Sequence, residues 1–134
     1  MGAVNVHSDI LIELREYIQQ NIIPQYVNFD KAHQIDHVEK VIEESLKLAS
    51  YYDVNLPMVY TIAAYHDLGL CEGREFHHIV SGKKLMADET LRHWFTDEQL
   101  LQMKEAIEDH RASNKQIPRS IYGKIVAEAD RIID

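Results

Sequence analysis

The sequence predicts an all-α protein, a single compact bundle of about six helices. Two observations carry this. Apolar residues recur at helical spacing almost throughout, and no segment alternates apolar with polar residues long enough to make a strand. The length, 134 residues, suits one domain with its own core and is too short for two ordinary ones.

The first helix is marked by Ile10, Leu11, Leu14, Tyr17 and Ile18 on one face, with Ser8 or Asp9 as its N-cap and Pro24 as its end. The second spans about Gln34 to Tyr52, with Val38, Val41, Ile42, Ser45, Leu48, Ala49 and Tyr52 inward. The third starts at Pro57, a residue suited to a first helical turn, and reaches His66. Gly69 and Gly73 mark a loop, and a fourth helix runs from Arg74 to Ala87. After a short turn around Leu91–Phe95, Thr96 with Gln99 signals a capping box and a fifth helix ending at His110. The sixth begins near Pro118 and carries Ile121, Ile125, Val126, Ala129 and Ile133. It is still helical in pattern where the sequence stops, so a shortened chain is expected.

With 46% apolar and 27% charged residues, the composition is that of a globular protein. No stretch approaches the length of a membrane span, and the N-terminus lacks signal-peptide character. Gly2 is followed by Val6 where a myristoylation signal wants Ser or Thr. One cysteine, Cys71, excludes an internal disulfide and a multi-cysteine zinc site, and cytoplasmic residence is the expectation. A net charge of -8 argues against a nucleic-acid duplex as partner. A small anionic substrate stays possible, since a bound metal reverses the local sign. Eight histidines are the oddity, and they raise metal chemistry as a hypothesis.

The pair His66-Asp67 closes an apolar helix just before a glycine loop. Neighbouring residues on a helix point about 100° apart, so both can face one ion only at a helix edge, which a helix end provides. Other ligand-type residues share inward faces. His37 lines up with Val41 and Ser45, His78 with Gly82 and Leu85, His110 with Met103, Ala106 and Ile107, and Asp130 with Val126 and Ile133. Any one of them reads as a satisfied core histidine or an ion-paired aspartate. Their coincidence with the His66-Asp67 pair, on five separate helices in all, does not. Imidazoles and carboxylates without thiolates suit iron, manganese, zinc, cobalt or nickel.

His37, His66-Asp67 and Asp130, on successive helices, resemble the H…HD…D signature of the HD-domain superfamily. The segments His33–Val41, Ala64–Gly69 and Ala127–Ile132 carry the likeness, which covers residues 30 to the end. It implies that His37, His66, Asp67 and Asp130 hold one divalent metal. A subset with two more histidines holds two ions bridged by the HD aspartate, and His78 and His110 occupy those places. His78 is preferred to the adjacent His77 for its register with Gly82. The run His78–Gly82 is similar to the corresponding helix of di-iron HD proteins that cleave diadenosine tetraphosphate.

The activity the resemblance implies is metal-dependent hydrolysis of a phosphate ester or anhydride in a nucleotide or related small molecule. Asp67 then bridges the ions, and Glu72 orients water. Arg74, Arg111, Lys115 and His33 are the candidates for binding substrate phosphates. Two alternatives remain: a di-iron oxygenase of the same superfamily cleaving C–C or C–P bonds, and a metal-stabilised signalling module. A homodimer is compatible with any of the three.

Overall fold

The third helix of the bundle, α3 (Leu56–Tyr65), fixes the architecture, because every residue from Pro57 to Tyr65 is buried. A helix apolar on all sides has to be surrounded. The computed structural model describes the backbone of residues 2–28, 33–72, 75–110 and 117–133, and the side chains of 12–27, 35–70, 75–110 and 117–133. Around α3 stand α1 (Gly2–Asn21), α2 (His33–Ala49), α4 (His77–Ala87), α5 (Asp97–Asp109) and α6 (Ile121–Ile133), each packed against it. Short 3-10 turns at Ile23–Asn28, Leu68–Glu72 and Glu89–His93 link them, and no strand occurs among the described residues. The protein is all-α.

One core cluster joins α1 to the rest: Leu14 and Ile18 meet Val41, Ile62, Leu85, Leu100, Ile107 and Val126. Among the described residues no helix is long and apolar enough to cross a membrane.

Local chemistry sets several boundaries. Asn55 caps α3, its side chain accepting from the Met58 amide, with Pro57 in the first turn. Thr96 and Gln99 form the expected reciprocal capping box on α5. Other boundaries differ from the sequence expectation. Helix α1 begins at Gly2 rather than after a cap at Ser8 or Asp9, since no proline interrupts the stretch between them. Helix α2 stops at Ala49: the amides of Tyr51 and Tyr52 turn back to the Leu48 and Ala49 carbonyls, and both tyrosines are exposed. The expected Gly69–Gly73 loop is a 3-10 turn through Glu72, α4 starts at His77 rather than Arg74, and α6 starts at Ile121 rather than Pro118.

Candidate metal centre

The C-terminal end of α3 delivers His66 and Asp67 into the space left between α2, α4, α5 and α6. His66 is fully buried, and its Nδ1 lies 2.5 Å from the Ala63 carbonyl oxygen. A carbonyl only accepts, so Nδ1 carries a proton and Nε2 is the atom turned to the site. That Nε2 makes no hydrogen bond, yet it sits 3.2 Å from Asp67 Oδ2 and 3.4 Å from Asp130 Oδ1. His110, at the end of α5, repeats the device. Its Nδ1 donates to the Ile107 carbonyl at 2.5 Å, and its Nε2 faces Asp67 Oδ1 at 3.6 Å.

In a neutral ring each such Nε2 is a lone pair turned towards carboxylate oxygens, which repel it unless a proton or a metal cation stands between them. In a metal site with bonds of about 2.1 Å, neighbouring ligand atoms lie roughly 3.0 to 3.4 Å apart. The His66 contacts fit that spacing, and a carbonyl holding the far ring nitrogen is the usual support of a ligating histidine.

Two groups of ligand atoms converge. His37, from the second turn of α2, places Nε2 3.1 Å from Asp130 Oδ1 and 3.6 Å from Asp67 Oδ2. With His66 this makes a first group of His37, His66, Asp67 and Asp130. The second group is Asp67, His77 and His110, with His77 Nε2 3.2 Å from Asp67 Oδ1. Asp67 therefore turns one oxygen to each group. The two carboxylates carry two negative charges, which a divalent cation matches once the imidazoles release their protons to bind it.

Without an ion, protons on the imidazoles serve as the positive partners of the carboxylates. Burial alone would raise the Asp67 carboxyl, but His66, His110 and His77 hold it well below the usual range. Asp130 is likewise lowered against the effect of burial, by His37 and His66. His37 is raised chiefly by Asp130. For His66 burial opposes the charged form, and Asp67 and Asp130 more than reverse it. Arg131 pairs with Glu128 rather than with Asp130.

His78 is not in either group, and His77 stands where it was expected. The register with Gly82 misled, because Gly82 serves helix packing: a Cβ there would meet Lys104 and Glu108 of α5. The face turned towards Asp67 is instead that of His77 and Ser81, one turn apart, and the Ser81 hydroxyl accepts from the Gly69 amide at 2.7 Å. The His78 ring lies beside that of His77, with centroids 5.9 Å apart. Arg74, Arg111 and Lys115 lie outside the described residues. Of His33 and Glu72 only the backbone is described, at the start of α2 and the end of the turn Leu68–Glu72.

Residues 35–133 match the family model of the HD domain. The chain belongs to the HD domain family. HD domains bind divalent metals, and the two groups around Asp67 are this domain's candidates for holding them. No curated protein matches the sequence. The fold is similar to a crystal structure described as a predicted HD superfamily hydrolase from an uncultured Thermotogales bacterium. The TM-score is 0.68 at 24% identity, over 93% of this chain and 66% of that one. The chain thus spans about two thirds of that protein's length.

Proposed function

We propose that this HD domain is a metal-dependent phosphohydrolase, cleaving a phosphate ester or anhydride in a nucleotide or related small phosphorylated anion. The observation that carries the reading is the division of Asp67, Oδ2 towards His37 and His66 and Oδ1 towards His77 and His110. His37, His66, Asp67 and Asp130 would hold one divalent ion, and Asp67, His77 and His110 a second. Such ions supply a water ionised near neutral pH and neutralise phosphate oxygens.

The chain's own residues do the rest. The Ala63 and Ile107 carbonyls fix the tautomers of His66 and His110, so both rings present Nε2 inward. Asp67, kept ionised by the surrounding imidazoles, aligns the two groups. Arg74 and Glu72 precede His77 in sequence, while Arg111 and Lys115 follow His110. With His33 they are our candidates for gripping phosphates and, for Glu72, for orienting water. The likeness to a protein described as a predicted HD superfamily hydrolase supports hydrolysis over oxygenase chemistry.

The test is metal analysis of protein purified without chelators, followed by a phosphate-release screen over nucleotides. The expected result is bound transition metal and phosphate release, both lost in His66→Ala. Oxygen consumption with an organic substrate, and no phosphate from any nucleotide, would overturn the proposal in favour of the oxygenase.

A further inference from the structure

We propose that Tyr26 is a positioning residue for the His66-Asp67 pair, its buried hydroxyl locking the end of α3 so that both side chains face inward. The inference rests on the metal-centre reading above. Tyr26 belongs to the 3-10 turn Ile23–Asn28, an element that supplies no member of either ligand group.

The last carbonyls of a helix and the first amides beyond it lack helical partners. At the end of α3 this problem falls on the residues that flank and carry the site. The Ala63 carbonyl is engaged by the His66 ring at 2.5 Å. The Ala64 carbonyl accepts from the Tyr26 hydroxyl at 2.7 Å, two residues before His66. The phenol thus ties the last turn of α3, just ahead of His66, to the turn Ile23–Asn28.

Tyr26 is wholly buried within the core cluster, so the ring has no second position to occupy. Burial and the nearby Asp67 and Asp130 keep the phenol neutral, and so a donor. Groups that orient metal ligands from behind typically change metal affinity about 10- to 100-fold when removed.

Tyr26→Phe keeps the ring and deletes only the hydroxyl. Tyr17→Phe is the control, since the Tyr17 hydroxyl bonds Asp88, which belongs to neither group, at 2.6 Å. Cobalt(II) affinity by competition with a chromophoric chelator, the visible bands of bound cobalt(II), and unfolding of the metal-free chain are measured on all three. Tyr26→Phe is expected to unfold cooperatively, to bind cobalt(II) about 10- to 100-fold more weakly and to shift its visible bands. Tyr17→Phe should match wild type in both metal readouts.

A Tyr26→Phe chain with wild-type affinity and bands, but a lower melting temperature, would show a merely structural tyrosine and overturn the inference. If wild type itself binds no cobalt(II), the site reading falls and takes this one with it. Should Tyr26→Phe not fold, Tyr26→Met fills the space without a hydroxyl and carries the same comparison.

Discussion

Gly69 lies where the turn after His66-Asp67 runs against the first turn of α4, and its replacement by alanine tests how closely those segments must approach. A Cβ at Gly69 would overlap the His77 carbonyl oxygen and fall 2.7 Å from the Ser81 nitrogen and 2.8 Å from the Val80 Cβ. Two of those three atoms are backbone, so no side-chain rotation relieves the clash, and the turn must separate from α4. Overpacking of this kind costs about 1–3 kcal/mol. The separation also strains the buried hydrogen bond from the Gly69 amide to Ser81 Oγ, and an unsatisfied buried group adds about 1–3 kcal/mol. A loss of about 3 kcal/mol follows, which for a domain of this size lowers Tm by roughly 10 °C. Because α4 begins at His77, the same movement pulls that ring from Asp67, now 3.2 Å away. Urea unfolding and calorimetry of the metal-free chain would measure the stability, and elemental analysis the metal content. We expect the destabilisation, with metal lost from the Asp67–His77–His110 group before the other. A Gly69→Ala chain melting within about 2 °C of wild type would refute the packing argument.

Three further outcomes follow from the geometry. His77→Ala should lower the metal bound per chain, whereas His78→Ala should leave it unchanged; the reverse pattern in elemental analysis would restore the sequence-based assignment. Ser45 Oγ is buried without a hydrogen bond, so Ser45→Ala should stabilise the chain by about 1 kcal/mol in urea unfolding, and any destabilisation would count against that reading. Burial tends to raise the Glu108 carboxyl, but Lys104 and Arg119 bring it below its usual 4.5, so its contribution to stability is present above that pH and lost as pH falls through the folded value. Glu108→Gln should therefore flatten the acid limb of the stability–pH curve below about pH 4.5, and an unchanged limb would contradict the pairing.

Much of the fold was legible because its signals are local. Thr96 and Gln99 announce α5 within four residues, and Pro57 marks the first turn of α3. The end of α2 was not legible, since Tyr52 keeps helical spacing and only the tight turn at Ala49 puts it in solvent. The ligand groups divide in the same way. His37, His110 and Asp130 lie on long helices whose apolar stripes set the register over several turns, and each arrives at the centre. His77 lies on the first turn of α4, where no preceding stripe exists and the register depends on how the chain enters from Leu68–Glu72. Adjacent helical residues point about 100° apart, so placing the helix start at Arg74 rather than His77 is enough to exchange one imidazole for its neighbour. Gly82 compounded the error, because a small residue on a helix marks close approach without saying to what. Tyr26 left no trace at all: its hydroxyl matters only because the chain, having returned through α2 and α3, brings the Ala64 carbonyl to within 2.7 Å of it. Sequence periodicity therefore finds groups that a helix face presents, and it is blind to those whose role is created by a contact distant in sequence. That is why Tyr26 and the place of His77, unlike those of His37, His110 and Asp130, had to come from the structure.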